Sequence, residues 1–166
     1  MKLGYDAARR VLEDIKWLRE KLENETGYTE WRLHWVSCVV LLRTVGHVAE
    51  KVDGKAENKL LLGSREVFET WKEGDEHLIF REFINKERNS ILKEYETGMS
   101  EGPIPVVAQA IGLDGTPQDF GCLIEENIYR PISGGYYDGE DGRTLIDEAL
   151  IWWAQQINRM EEIANN

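Results

Sequence analysis

The chain has 166 residues, 42% of them hydrophobic, and is therefore long enough to bury the core of one globular domain. Its 20 Lys and Arg residues and 31 Asp and Glu residues give a net charge of -11. This balance excludes a protein that coats nucleic acid through bulk electrostatics, so any RNA or DNA contact is expected at a local site.

Two strong helical patterns open the chain. Apolar residues recur at helical spacing between Asp6 and Gly27, and Asp6 is a good N-cap, which predicts the first helix. A second stripe runs from Thr29 to Asp53 and is apolar on nearly every side. Because a helix that is apolar all round is usually buried, the second helix is predicted to form the centre of the core.

Two further helices are predicted in the middle of the chain. A short apolar pattern begins at Leu60 and ends at Gly74. A longer pattern begins at Asp75, which is a suitable N-cap, and runs to Gly98.

The segment at about 98–142 differs in character, because it holds all four prolines and nine of the fifteen glycines. Val106–Ile111 and Cys122–Ile132 pair there as short strands, or Leu123–Asn127 forms a helical turn, and periodicity leaves both alternatives open. Its apolar residues predict that this insertion packs onto the helices.

The final helix is predicted from Thr144, where Thr144 and Asp147 resemble a capping box. Together these patterns predict one all-α domain over residues 1–166. It is expected to be a bundle of about five helices with a Gly/Pro-rich insertion.

Arg88 is the residue of the fourth predicted helix that most needs an explanation. On an ideal helix that turns about 100° per residue, it falls within the apolar stripe of Phe80, Ile84, Ile91 and Tyr95. A buried, unpaired guanidinium is costly, so Arg88 needs a partner. That partner is either a structural carboxylate on a neighbouring helix or a functional one, such as a phosphate or a subunit interface.

The segment around Arg88 also carries a motif. Arg88, Asn89, Lys93 and Tyr95 form the pattern Arg-Asn-x3-Lys-x-Tyr. It resembles the signature of HEPN domains, a family of small helical bundles, in which one toxin branch reads Arg-x4-His-x-Tyr. This chain has Lys93 where the family has its histidine.

The resemblance implies a protein of defence or toxin–antitoxin type that binds RNA or cleaves it without a metal. It implies that Arg88 binds the phosphate, that Asn89 orients Arg88, and that Lys93 occupies the place of the catalytic histidine. Tyr95 would be the position that a partner enzyme modifies. The resemblance also implies a homodimer, RNA at a local site and an antitoxin-like protein partner, with no cofactor.

Other interpretations of these residues stay open. Lys93 falls about 140° from Arg88 on one helix, so only Lys93 of a second copy is expected to approach Arg88; otherwise Lys93 is a solvated lysine. Tyr95 is also consistent with ordinary packing. His47, one turn after Arg43, supplies the missing imidazole if the second helix packs near Arg88, and is otherwise structural.

The remaining composition predicts what the protein lacks. Cys38 and Cys122 do not fit the spacing of a zinc site, and no apolar run approaches the length of a membrane span. A cytoplasmic protein without a metal, a cofactor or a membrane partner is expected. The alternative to the HEPN-like function is a non-catalytic helical module for dimerisation or protein interaction, in which Arg88 is structural.

Overall fold

The computed structural model describes residues 2–25, 27–99, 104–124 and 127–166. In these ranges, five helices of nine or more residues form a bundle, and one β-hairpin precedes the last helix. The helices are α1 (Asp6–Asn24), α2 (Tyr28–Val48), α3 (Asn58–Thr70), α4 (Lys86–Glu94) and α5 (Gly142–Asn165). The prediction of an all-α bundle of about five helices is confirmed. None of the helices in these ranges has the length and apolar character needed to cross a membrane.

Helix α2 lies at the centre of the core, as predicted. Its buried side chains are Trp31, Trp35, Cys38, Val39, Leu42 and Val45. Helices α1, α4 and α5 all pack against it. Helix α2 therefore contacts three other helices of the bundle.

The N-terminus of α1 is capped by another part of the chain. A π-helical turn, Ala49–Asp53, extends α2, and the buried carboxylate of Asp53 accepts hydrogen bonds from the backbone N of Ala7 and Ala8, at 3.0 Å each. No side chain of the preceding residues caps α1. The prediction that Asp6 is the N-cap is therefore wrong, because a long-range carboxylate satisfies these donors instead.

The predicted continuous helix from Asp75 to Gly98 consists of three different pieces. A 3₁₀ turn, Asp75–His77, is followed by a π-helical segment, Ile79–Asn85, and then by α4. A π-helix closes its hydrogen bonds over five residues instead of four, so it changes which later residues face the core.

Glu87, and not its neighbour Arg88, continues the buried face of this segment. Glu87 and Ile91 are the buried residues of α4, and Glu87 is only 8% exposed. Arg88 is half-buried. The prediction that Arg88 lies inside the buried stripe is therefore wrong, and Glu87 occupies that place.

Glu87 connects α4 to α2 and to the chain that follows α4. Its carboxylate accepts hydrogen bonds from Trp35 Nε1 at 2.9 Å and from the backbone N of Gly98 at 2.9 and 3.1 Å. Burial raises the pKa of Glu87, and the hydrogen bonds from Trp35 and Gly98 partly oppose this rise.

The insertion contains the hairpin alternative, with β1 (Ile104–Ile111) antiparallel to β2 (Pro117–Ile124). β1 ends at Ile111 as predicted but begins earlier, and β2 begins and ends earlier than predicted. The side chain of Cys122 lies outside the part that the structure describes. Val107 is 70% exposed and Phe120 is 54% exposed. The hairpin therefore does not bury these side chains on the bundle, contrary to the prediction, whereas Ile132, further along the insertion, does belong to the core.

Helix α5 begins two residues earlier than predicted. Asp141 precedes it and accepts a hydrogen bond from the backbone N of Arg143 at 2.9 Å, so Asp141 is the N-cap. The carboxylate of Asp147 instead pairs with Arg19 on α1. The capping box predicted for Thr144 and Asp147 is therefore wrong.

Candidate functional site

Two of the motif residues contact each other at the start of α4. Arg88 Nη1 donates a hydrogen bond to Asn89 Oδ1 at 2.9 Å, and both side chains are half-buried. This bond restricts the orientation of the guanidinium, because Arg presents its donors in a fixed planar arrangement.

The other two motif residues lie apart from this pair. Lys93 is exposed on the last turn of α4. Tyr95 follows the helix in the left-handed region, with φ of 56°, so it is not on the helical face that the sequence predicted. Its side chain is 60% exposed, and its ring centroid lies 5.1 Å from Arg32 Cζ. The structure thus brings Arg88 to Asn89 but not to Lys93 or Tyr95.

The charge of Arg88 acts on two residues of α2. Arg43 and His47 are four residues apart and therefore share one side of α2, and α2 packs against α4. Burial lowers the pKa of Arg43, and the positive charge of Arg88 lowers it further. Burial also lowers the pKa of His47, as do the charges of Arg43 and Arg88. Arg43, His47 and Arg88 are named the cationic cluster below.

The two arginines of the cationic cluster lack the ion pairs that other arginines form in the described ranges, although the charge of Glu50 raises the pKa of His47. Neither Arg43 nor Arg88 has a described carboxylate oxygen within the 4.0 Å of an ion pair, although Arg9, Arg19 and Arg143 all do. The Cζ atom of Arg43 instead lies 5.6 Å from the ring centroid of Phe80, a cation–π contact. The charge of Arg88 therefore acts on Arg43, and neither guanidinium group forms an ion pair with a described carboxylate.

A cavity of about 410 Å³ opens beside this cluster. It is lined by Arg43, Gly46, His47, Glu50, Ser64, Arg65, Phe68, Glu69, Trp71 and Met160. Small-molecule sites in proteins typically have volumes of about 300 to 1,000 Å³, so this cavity is large enough to hold part of a ligand. Arg43 and His47 belong both to the cavity wall and to the cationic cluster.

The chemistry of the cluster follows from its charge states. Arginine guanidinium groups carry a positive charge at neutral pH, whereas the lowered pKa of His47 favours its uncharged form. A neutral imidazole can accept a proton, and guanidinium groups bind phosphate or carboxylate oxygens. The described residues contain no group of three or more His, Cys, Asp or Glu side chains arranged to hold a metal ion.

Sequence patterns identified part of this site. The spacing of Arg43 and His47 is visible in the sequence, but the influence of Arg88 on their pKa values depends on the packing of α4 on α2, which no local pattern predicts. Glu50, three residues after His47 in the sequence, lies in the same cavity wall as Arg43 and His47. Comparisons with protein-family models, with curated proteins and with solved structures find no match to this chain. The resemblance to HEPN domains therefore stays a prediction from the motif.

Proposed function

We propose that this chain is a HEPN-like protein that binds RNA at the cationic cluster of Arg43, His47 and Arg88 and cleaves it without a metal. Two half-buried arginines that lack a described carboxylate support this proposal most directly, in a chain whose net charge is -11. Like charges in a partly buried site repel, and a bound anion relieves that repulsion. An RNA phosphate is such an anion and offers oxygen acceptors to guanidinium donors.

In this proposal, His47 acts as the catalytic histidine of HEPN domains does. Its neutral imidazole accepts the proton of an RNA 2′-hydroxyl, and the 2′-oxygen then attacks the adjacent phosphorus. The bond from phosphorus to the 5′-oxygen breaks, and that oxygen receives the proton from His47. The products are a 2′,3′-cyclic phosphate and a 5′-hydroxyl, and Arg43 and Arg88 stabilise the negative charge that develops on the phosphate.

The other residues of the motif have separate roles in this proposal. Asn89 positions Arg88 through the hydrogen bond described above. Lys93 is exposed and is assigned to contact RNA across a homodimer, where Lys93 of the second copy approaches the cluster. The exposure of Tyr95 makes its hydroxyl accessible for modification by an antitoxin-like partner.

An RNA cleavage assay with chelator present tests the enzymatic part of the proposal. Wild type is expected to produce 2′,3′-cyclic ends, and His47→Ala is expected to lose about 10²- to 10⁴-fold in rate while it still binds RNA. Arg88→Ala and Arg43→Gln are expected to weaken binding as well as cleavage. Arg10→Gln, a change at an exposed arginine outside the cluster, is the matched control and is expected to retain both.

Three results would contradict the proposal in different ways. Equal cleavage by wild type and Arg88→Ala indicates a contaminating nuclease. Loss of cleavage on addition of chelator rejects the metal-free mechanism. Binding that depends on Arg43 and Arg88 without any cleavage retains the RNA-binding function and removes the enzymatic one.

The second candidate function is a non-catalytic module for helical dimerisation or protein interaction. Exposed apolar side chains on the outer faces of α1 and α2, including Trp17 and Leu33, favour it. Sedimentation of wild type and Trp17→Ser distinguishes the candidates. A dimer that Trp17→Ser dissociates, in a protein that binds no RNA, supports the interaction module.

A further inference from the structure

We infer that the cavity beside the cationic cluster holds a guanine base, attached to the phosphate that Arg43 and Arg88 bind. This inference rests on the proposed function, since it assigns the base that accompanies that phosphate. The cavity shares Arg43 and His47 with the cluster. A nucleotide that places its phosphate at the cluster therefore has its base within reach of the cavity.

One wall of the cavity is aromatic. Phe68 and Trp71 meet edge to face, with ring centroids 5.3 Å apart and an angle of 71° between the ring planes. Trp71 is buried, but Phe68 remains 41% exposed. An exposed aromatic ring in a cavity wall provides a surface on which a nucleobase can stack, and such stacking is common in single-stranded RNA recognition.

Glu50 supplies a polar group that selects among bases. Lys51 Nζ, at 3.1 Å, and Arg65 Nη2, at 3.4 Å, both bind its Oε1 atom. Its Oε2 atom accepts no hydrogen bond from the residues that the structure describes. The hydrogen bond from Lys51, opposed by burial and aided by the charges of Lys51 and Arg65, keeps the pKa of Glu50 below its usual value. Glu50 therefore lies in the cavity wall, on the π-helical turn Ala49–Asp53, with one carboxylate oxygen that accepts no hydrogen bond from the described residues.

A carboxylate favours guanine for a simple reason. An ionised carboxylate only accepts hydrogen bonds, so the base edge that it recognises must donate them. Guanine presents two adjacent donors, N1–H and the N2 amino group. Adenine and cytosine place a ring-nitrogen acceptor beside their amino donor, and uracil places its N3–H between two carbonyl oxygens. Each of the other bases therefore brings an acceptor against the carboxylate.

The test measures binding of the full chain to guanosine, inosine and adenosine monophosphates by calorimetry. Wild type is expected to prefer guanosine over adenosine monophosphate by at least about tenfold, the size of effect that one bidentate contact gives. Inosine monophosphate, which lacks the N2 amino group, is expected to lie between them. Glu50→Gln is expected to reduce the preference to within about twofold, and to leave the affinity for adenosine monophosphate unchanged.

Control variants separate this inference from the proposed function. Glu66→Gln, at an exposed position of α3 outside the cavity wall, is expected to keep the full preference. Equal affinity of wild type for all three nucleotides, with binding still lost in Arg43→Gln, overturns the guanine assignment and leaves RNA binding intact. Absence of binding to every nucleotide and to a mixed-sequence RNA overturns both.

A second arm identifies the source of the guanine. An RNA of adenines with a single guanine is compared with the same RNA carrying inosine in that place. A preference for the guanine RNA supports a base within an RNA chain. A preference seen with the free nucleotide alone keeps the guanine site and assigns it to a mononucleotide.

Discussion

On two sides of the bundle, half-buried and buried arginines differ in whether a carboxylate pairs with them. Between α1 and α5, Arg19 donates to both oxygens of Asp147, at 3.0 Å each. Arg143 donates to both oxygens of Asp141, from Nε at 3.0 Å and from Nη2 at 2.8 Å. Between α2 and α4, the arginines of the cationic cluster meet no carboxylate among the described residues.

This difference separates arginines with a structural carboxylate partner from those of the cationic cluster. The hydrogen bond with Asp141 raises the pKa of Arg143, whereas burial and the charge of Arg88 lower the pKa of Arg43. The chain has 31 acidic residues, so a shortage of carboxylates does not explain the difference. This difference favours the proposal that a ligand supplies the counter-charge of the cationic cluster.

The largest effect is expected where a paired arginine is removed. Arg143 is only 8% exposed and also donates to the backbone carbonyl groups of Asn127 and Ile128, at 2.9 Å each. Arg143→Met leaves these acceptors and Asp141 without their donor, and is expected to lower the free energy of unfolding by about 3 kcal/mol. Urea denaturation measures this loss. Arg10→Met, at an exposed position, is expected to change it by less than about 0.5 kcal/mol, and a comparable loss in both variants would remove the contrast.

The cationic cluster is expected to gain stability from an added anion. Inorganic phosphate at 100 times its Kd is expected to raise the free energy of unfolding of wild type by about 2.7 kcal/mol. Arg88→Gln is expected to lose most of this gain, because one of the two guanidinium groups is gone. In the absence of phosphate, the same variant is expected to be at least as stable as wild type, since the repulsion with Arg43 is relieved. Arg19→Gln is expected to be less stable but to keep the full response to phosphate.

The same two regions show which features the sequence can predict. The amphipathic patterns give α1, α2 and α5 nearly correctly, because their hydrophobic spacing follows an α-helical period that packing preserves. Ion pairs such as Arg19 with Asp147 join residues more than one hundred positions apart, so no local pattern predicts them. The π-helical segment Ile79–Asn85 has the same difficulty, because tertiary contacts select its register.

For the candidate site, the motif predicted Arg88 and Asn89 as neighbours and noted the separate pair of Arg43 and His47. It did not predict which of the adjacent residues Glu87 and Arg88 is buried. Glu87 lies three residues after Ile84 and four residues before Ile91, both of which are buried, so it shares their side of the segment. Local spacing therefore identified residues of the site, and the packing of α4 on α2 determined which of them meet.

Glu87 provides a third case, a buried acid that forms no ion pair with the residues that the structure describes. Because its folded-state pKa is raised, the folded protein binds this proton more tightly than the unfolded chain. Its contribution favours folding below the ordinary pKa of 4.5 and is lost as the pH rises through the folded-state value. Glu87→Gln keeps an acceptor for Trp35 and does not titrate. Its stability relative to wild type is therefore expected to increase as the pH rises from about 4 to neutrality, and a difference independent of pH would contradict the raised pKa.

The smallest expected effect is a shift in the pKa of His47, which tests whether the charge of Arg88 on α4 reaches α2. The pKa of His47 is expected below 6.5 in an NMR titration of its imidazole, because burial and the charges of Arg43 and Arg88 disfavour its protonated form. Arg88→Gln removes one of these charges and is expected to raise the pKa of His47 part of the way toward 6.5, and bound phosphate is expected to act in the same direction. Arg19→Gln is expected to leave it unchanged. A His47 that titrates identically in wild type and Arg88→Gln would separate Arg88 from α2, and the unpaired arginines would then be two independent surface residues instead of one site.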